Sequence, residues 1–281
     1  MTVASDREAF ARVVTALGPY LDVLVFAGGW AHRLYELHQL SNPIDFEPLA
    51  TEDADLVAPL RLEVRAEPLA QCLKAAGFTE EFRGDDTPPI SRYHLGEEGI
   101  GLYVEFLAPL IGSPTTRTGA PRDTTVVGGV TAQTLRYVDL LLEEPWTVQL
   151  SERFGFPVVV EGVQIRIPNP ASFIAQKLLV LEQRTPEKRP KDLLYVHDTL
   201  VLFSGQLAAL QTSWRSVSGK QHPNVVKGLQ ARIDARFDTV DDLIRSACRI
   251  ATESGRPSPP TPERFAAVCK IAARTVFALG G

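Results

Sequence analysis

The pattern of apolar and polar positions divides the chain into two parts at Pro168 and Pro170. Before these prolines, short apolar runs rich in β-branched residues alternate with helical patterns, whereas after them apolar side chains recur at helical spacing. Proline interrupts regular structure because its ring fixes φ and removes a hydrogen-bond donor. The pattern therefore predicts an α/β domain over residues 1–167 and a helical domain over residues 168–281.

Individual elements follow from the same periodicities and from glycine and proline stop signals. In the first domain the pattern predicts helices at 6–17, 30–40 and 66–76. It predicts strands at 21–27, 54–60, 78–83, 91–96 and 100–110, a loop over 112–134, and further strands near 135–142, 145–150 and 157–167. The second domain is predicted to begin with helices at 171–184 and 191–203, followed by about three more.

Three acidic residues lie within predicted strands or, in the case of Asp53, directly before one. Asp53 and Asp55 are two positions apart, so on a strand their carboxylates share one face. Glu105 alternates with Val104 in a strongly apolar run, so it points away from the face on which Val104 lies. If the two strands are neighbours, the three acids offer the hard oxygen ligands that Mg²⁺ prefers, and two such ions could assist a displacement at phosphorus.

Two adjacent glycines, Gly28 and Gly29, follow the apolar run that ends at Ala27. A strand-to-helix turn without side chains exposes backbone N–H groups and lets a phosphate approach closely. The segment therefore offers a candidate cradle for a triphosphate upstream of the candidate metal ligands.

Composition narrows the class of protein. The chain has 281 residues, 44% hydrophobic and 22% charged, which is typical of a globular protein. No apolar run reaches the roughly 20 residues of a membrane-spanning helix, and the first residues, MTVASDREAFARVV, carry acids where a signal peptide would be basic. We therefore expect a cytoplasmic protein with no membrane partner.

Net charge and the reactive side chains bear on three other functions, namely nucleic-acid binding, zinc or disulfide sites, and hydrolase catalysis. The net charge of −5 gives no overall attraction to nucleic acid, although the basic run 184–191 and the basic residues after it would suit RNA phosphates if they line a cleft. The three cysteines are widely spaced and predict buried, reduced thiols rather than a zinc site or disulfides. His32, His38 and His197 are predicted to lie on helix faces, and His94 is isolated. Ser113 and Ser204 lack the context of a hydrolase nucleophile.

Taken together, the motifs resemble the polymerase-β-like nucleotidyltransferase superfamily, in which a glycine turn and helix precede a [DE]h[DE]h strand and a later h[DE]h strand. The matching residues are Ala27-Gly28-Gly29, Asp53-Ala54-Asp55-Leu56 and Val104-Glu105-Phe106. Within it, the chain is similar to the bacterial branch of AbiEii-type and MenT-like toxins, through Thr51 to Asp55 and through Lys177-Leu178, Arg184 and Lys191-Asp192. The resemblance spans roughly residues 22 to 200 and implies an α/β (α+β) fold with a mixed sheet and a C-terminal helical bundle.

The resemblance also implies roles for these residues. Asp53 and Asp55 would bind Mg²⁺, and Glu105 would complete the metal site or act as a base. The remaining implied contacts are to the nucleotide: Gly28, Gly29 and Thr51 beside the phosphates, Lys177 neutralising the triphosphate, and Asp192 orienting that lysine.

The implied activity is transfer of an NMP group from an NTP to a macromolecular hydroxyl. A tRNA 3′ end, in a toxin with a cognate antitoxin, is the first candidate acceptor. Protein nucleotidylation and antibiotic modification are alternatives, and so is a nucleotide-binding module without catalysis. The presence of all three acids favours catalysis over the binding module. Clustered carboxylates repel one another, and a protein without catalysis has no physical reason to tolerate that repulsion.

Overall fold

A computed structural model describes residues 3–83, 90–96 and 101–278 of the chain. The chain forms two compact units, the first made of Met1–Leu37 with Ala50–Pro168 and the second of His38–Leu49 with Asn169–Gly281. The short segment 38–49 therefore belongs to the second unit, although no periodicity in the sequence indicated this.

The first unit contains helices and strands in alternation. Its helices are α1 (Val3–Ala16), α2 (Gly28–Leu34), α3 (Leu69–Ala75) and α4 (Asp139–Leu142). Its strands are β1 (Val25–Phe26), β2 (Asp53–Val57), β3 (Phe78–Arg83), β4 (Ile90–Leu95), β5 (Tyr103–Pro109), β6 (Thr124–Val127), β7 (Val130–Leu135), β8 (Trp146–Gln149) and β9 (Gln164–Ile167).

Within the described residues, nine strands form one mixed sheet. Seven of them follow the order β3-β4-β5-β2-β1-β9-β8, and β7 and β6 lie outside this order. The strand β2 runs parallel to β5 and antiparallel to β1, and β4 runs antiparallel to β5. The strand β7 pairs with the second half of β5, and β6 pairs with β7. The predicted mixed sheet is confirmed.

The two faces of this sheet differ in polarity along β2 and β5. One face is apolar throughout and packs Phe26 against Phe10 of α1, with ring centroids 5.2 Å apart. The other face is apolar at one end only, where Val57 and Leu107 pack with Val138 and other buried residues. The acidic residues lie on this second face, at the end that the apolar cluster leaves uncovered.

Two predictions in the first unit are wrong. The stretch 112–134 is not all loop, because β6 and β7 form a hairpin across Gly128 and Gly129, both with positive φ as a two-residue turn requires. The predicted strand 135–142 is instead the end of β7 followed by α4. An apolar run such as this has no clear period, and packing of Val138 into the apolar cluster decides its structure.

Other boundaries move by several residues. The predicted helix 30–40 begins earlier, at Gly28, and ends at Leu34, after which Tyr35–Leu37 is a 3-10 turn. The predicted strand 157–167 contains a 3-10 turn, Val158–Val160, and only its end forms β9. The strands predicted at 78–83, 91–96, 100–110 and 145–150 are confirmed to within three residues.

The second unit is helical in its described residues after Asn169. Its helices are α5 (Pro170–Val180), α6 (Arg189–Leu202), α7 (Leu207–Ser218), α8 (Pro223–Arg236), α9 (Asp242–Glu253) and α10 (Pro262–Val276). In the described part of the chain, no single helix has the length and apolarity needed to cross a membrane. The segments Arg189–Leu202 and Ser204–Ser218, which are bent by 64° relative to each other, meet these two criteria only when they are taken together.

A buried ion pair anchors the segment 38–49 to this unit. Arg256 binds both carboxylate oxygens of Asp198, at 2.8 and 2.6 Å, and its guanidinium lies 4.1 Å from the ring centre of Phe46. The Asn42 side chain donates to the Ser204 hydroxyl at 3.0 Å. These contacts explain why 38–49 folds with helices that are distant in sequence.

The predicted surface positions of two histidines are wrong, while the thiol prediction is confirmed. His32 is buried in α2, and His197 is buried beside Asp198, with its ring 4.4 Å from that of Phe265. The cysteines at 72, 248 and 269 are free and buried. Burial raises the pKa of Cys269 well above its usual range, so this thiol stays protonated.

Removing one partner tests the buried ion pair. We expect Arg256→Met to lower the free energy of unfolding by about 3 to 5 kcal/mol, because the Asp198 carboxylate would stay buried without its counter-ion. Chemical denaturation followed by circular dichroism measures the change. The control is Arg249→Met, whose ion pair with Glu253 is exposed and worth less than about 1 kcal/mol. A wild-type denaturation midpoint for Arg256→Met would contradict the prediction.

Candidate active site

The pairing of β2 with β5 brings the three predicted acids onto one sheet face. In this parallel register Asp55 lies opposite Glu105, and Asp53 lies opposite Tyr103. Residues opposite each other on neighbouring strands are about 5 Å apart and point to the same side. Alternate positions, such as Ala54 and Val104, are fully buried in the core, which holds the register.

The glycine turn after β1 lies directly beside the two aspartates. The backbone of Ala27 donates to the carbonyl of Asp55 at 2.8 Å. A Cβ on Gly28, which has a φ of 58°, would overlap the Asp55 carboxylate, with its Cγ only 2.9 Å away. A Cβ on Gly29 would lie 2.7 Å from the Thr51 side chain. The glycine pair therefore lets the segment 51–55 approach the start of α2 closely.

Hydrogen bonds and charge fix the carboxylates. The Thr51 hydroxyl donates to the Asp53 carboxylate. The Arg92 Nε donates to Glu105 Oε1 at 2.5 Å, and the Arg92 guanidinium lies 4.9 Å from the centre of the Tyr103 ring. Burial first, and then the negative charges of Asp53 and Glu105, raise the pKa of Tyr103 well above its usual range. The negative charges of the acids therefore disfavour ionisation of the phenol.

The donor set fits the magnesium ion that the resemblance implies. Carboxylate oxygens are its usual protein ligands, and Asp53, Asp55 and Glu105 supply them from adjacent positions of one face. In the structure, Glu105 is held by Arg92, and no three His, Cys, Asp or Glu side chains of the described residues are gathered closely enough to hold an ion. The fit is therefore one of chemistry and strand position, and Glu105 would have to exchange Arg92 for the ion.

The other predicted site residues lie in the helical unit. Lys177 on α5 is buried, and its Nζ lies 2.5 Å from the Asp192 carboxylate on α6. Arg184 binds the other oxygen of Asp192 at 2.9 Å. Lys177, Arg184 and Asp192 of the helical signature thus form a single ion-pair cluster centred on Asp192, and the role of Lys177 towards a triphosphate stays a prediction.

The sequence analysis missed the side chains beside the acids on β4 and β5, namely Arg92, His94 and Tyr103. The alternation of side chains along a strand could have indicated them. Tyr103 is two positions before Glu105 on β5, and Arg92 and His94 are two positions apart on β4. Strand order was needed to use it, because β4 is adjacent to β5 only through the observed pairing.

The basic residues proposed as RNA contacts divide into two groups. Arg184 and Arg189 are bound locally, Arg189 to the carbonyl oxygens of Arg184 and Glu182. Arg215 and Lys227 line a cavity of about 410 Å³ between α7 and α8. The second group remains a candidate for contacts with phosphates.

The chain is an α/β protein whose mixed sheet carries three acids on one face beside a diglycine turn. A family model described as "Nucleotidyltransferase" matches residues 6–219, which is most of the chain. The chain belongs to this nucleotidyltransferase family, and nucleotidyl transfer is its class of activity.

An antigenic nucleotidyltransferase-like protein from Paracoccidioides brasiliensis is similar in structure, with 19% sequence identity, a TM-score of 0.39, and coverage of 82% of this chain and 94% of that one. No curated protein matches the chain.

Substitution of Gly28 tests its approach to Asp55. We expect Gly28→Ala to lower stability by about 1 to 2 kcal/mol through its positive φ, and to displace the Asp55 carboxylate. Calorimetric titration with Mn²⁺ should then show at least tenfold weaker binding than in the wild type. Gly119→Ala is the control, because Gly119 has a φ of 84° but no heavy atom near its added Cβ. Equal Mn²⁺ affinity in wild type and Gly28→Ala would refute the expectation.

The Asp192 cluster predicts a pH dependence of stability. Burial alone would raise the pKa of Asp192, but the charges of Lys177 and Arg184 and their hydrogen bonds outweigh it and lower the pKa. A lowered folded pKa gives stability that is fully present above about pH 4 and is lost as pH falls below that value. We expect the unfolding temperature of Asp192→Asn to fall less steeply below pH 4 than that of the wild type.

Thermal unfolding between pH 2.5 and 7 measures this dependence. The exposed Asp242→Asn variant is the control and should retain the wild-type slope. Parallel curves for Asp192→Asn and the wild type would show that the cluster does not contribute in this way.

Proposed function

We propose that the protein is a Mg²⁺-dependent enzyme that transfers an NMP group from an NTP to a hydroxyl of a macromolecule. The observation that carries the proposal is the common face of Asp53, Asp55 and Glu105 beside Gly28. Family membership supports the class of reaction. Such a face gathers negative charge where a phosphate could bind only with a cation, which is the situation in metal-assisted phosphoryl transfer.

The proposed step is a single displacement at the α-phosphorus. The acceptor oxygen forms a bond to this phosphorus as the bond to the bridging oxygen of the β-phosphate breaks, so pyrophosphate leaves. The proton of the acceptor hydroxyl passes to a carboxylate of the acid face or to water. Mg²⁺ held by the acids would supply charge neutralisation and lower the pKa of the acceptor hydroxyl. The chain's own task is to orient the reactants, because this chemistry depends mainly on positioning and electrostatics.

We propose an RNA 3′ end, such as that of tRNA, as the acceptor, in a toxin with a cognate antitoxin. The motif resemblance supports this choice, and so does the pair Arg215 and Lys227, because cations on adjacent helices suit phosphates of a polynucleotide. Protein nucleotidylation and modification of a small antibiotic are outcomes that the experiment separates.

The test is incubation of the protein with Mg²⁺, each labelled NTP and total cellular RNA or protein. We expect label on RNA from at least one NTP, and at least a thousandfold loss in Asp53→Asn and Asp55→Asn, because each removes a charged ligand of the cation. Titration with Mn²⁺ should show the same variants losing the ion, which separates a metal defect from an acceptor defect.

Glu52→Gln is the matched control, since Glu52 is exposed and adjacent to Asp53 in sequence. Label on protein or on a small molecule instead of RNA would replace the proposed acceptor. Retained transfer in Asp55→Asn would remove the metal-site proposal, and NTP binding without any transfer would indicate a binding module.

A further inference from the structure

The face that carries the acids continues across two more strands as a polar surface. Paired positions of β2, β5, β4 and β3 form two rows, Asp55, Glu105, Arg92 and Glu81 in one and Asp53, Tyr103, His94 and Thr79 in the other. Because side chains alternate between faces, all eight belong to the same side of the sheet. The polar surface therefore reaches well beyond the proposed metal ligands.

Contacts link the outer members of these rows. The His94 ring lies 5.5 Å from the Tyr103 ring, and His94 Nε2 lies 2.7 Å from Glu81 Oε2. His94 is only 6% exposed, so this polar pair is largely removed from water. Such a pair is weak evidence for stability, because the cost of desolvating it offsets its attraction.

A cavity of about 290 Å³ opens on this pair, lined by Thr79, Glu80, Glu81, His94 and Gly96. Its volume is near the lower limit of roughly 300 Å³ for small-ligand sites, which suits a single sugar-sized unit. The lining offers hydroxyl, carboxylate and imidazole groups beside apolar surface. Two carboxylates disfavour an anion, whereas a group with several hydroxyls can donate to them.

The direction of the reaction places an acceptor on this side of the acids. The glycine turn follows β1, on one side of β2, while β5, β4 and β3 follow in order on the other side. In a displacement at phosphorus the attacking and leaving oxygens lie in line, on opposite sides of the α-phosphorus. An NTP with its pyrophosphate beside Gly28 would therefore have the attacking side of its α-phosphorus towards β5 and β4.

We propose that Thr79, Glu81, His94 and Tyr103 form the acceptor subsite and bind a terminal ribose through its free vicinal hydroxyls. This inference rests on the proposed function. Carboxylate recognition of ribose hydroxyls is a known solution in nucleotide sites, and Glu81 provides the carboxylate here. Tyr103 is the member of the subsite nearest the acids, because it pairs with Asp53 across β2 and β5 and its ring lies 5.5 Å from that of His94.

The first experiment measures the subsite without any transfer. Calorimetric titration uses adenosine and 2′,3′-dideoxyadenosine as probes, in the presence of Mg²⁺ and a non-hydrolysable NTP analogue. We expect adenosine to bind at least tenfold more tightly than the dideoxy probe. Glu81→Gln and Thr79→Val should each weaken adenosine binding at least tenfold while the affinity for the NTP analogue is unchanged.

Two controls keep this result interpretable. Thr79 is exposed, so Thr79→Val removes a hydroxyl without threatening the fold, whereas Glu81→Gln is also checked by its unfolding temperature. Glu63→Gln, at an exposed glutamate outside the cavity, should bind both probes as the wild type does. Equal binding of the two probes, or wild-type adenosine affinity in both variants, overturns the subsite.

The second experiment identifies the source of the ribose and separates the two proposals. Total RNA is labelled with NTP before and after periodate oxidation, which destroys terminal vicinal hydroxyls, and free adenosine is assayed alongside. Label only on intact RNA, with a tenfold higher KM for RNA in Thr79→Val, supports an RNA end; label on adenosine alone supports a free nucleoside. If RNA is labelled and the KM is unchanged in both variants, the subsite is wrong and the function stands. If adenosine binds as expected but the wild type labels nothing, the function is wrong and the subsite stands.

Discussion

The parallel pairing of β2 with β5 in a single register is the constraint on which the rest of the site depends. Ala54 and Leu56 on one strand, and Val104 and Phe106 on the other, are buried on the core face, so their burial sets which residues face each other. A slip of one residue would turn every side chain of a strand to the opposite face. The positions of Asp55 and Glu105 are thus determined by hydrophobic packing on the reverse side of the sheet, and the polar rows across β4 and β3 inherit the same register.

Two diglycine pairs show how one dipeptide serves different physical needs. Gly128-Gly129 forms the two-residue turn of the β6–β7 hairpin, where positive φ matches the twist of the strands. At Gly28-Gly29 the missing side chains matter more, because Asp55 and Thr51 occupy the space that a Cβ would fill. For Gly28-Gly29 the sequence predicted a turn that a phosphate can approach closely. The structure adds that the glycines are needed even without a ligand, to let the acidic strand approach.

The sequence predicted the division into a mixed α/β part and a helical part, and most strands of the sheet, because their apolar periods are strong. It also placed Asp53 and Asp55 on one face of a strand, since alternation along a strand is a local property, whereas a common face with Glu105 depended on strand order. It could not supply strand order, so Arg92 and His94 beside Glu105 went unnoticed. The segment 38–49 and the helix α4 were missed for a related reason: short segments without a period take their structure from distant partners, such as Arg256 for Phe46 and the apolar cluster for Val138.

The route of the chain between α2 and β2 bears on how the protein can be divided. The diglycine turn and the aspartates belong to one compact unit, but the residues that connect them, 38–49, contact Ser204 and Arg256 of the other unit's later segment, more than 100 positions further along the chain. A polypeptide ending near Pro168 would keep all nine strands and yet leave this connection without its support. A single cut in the chain therefore cannot separate the two compact units, because the second contains residues 38–49 as well as residues 169–281.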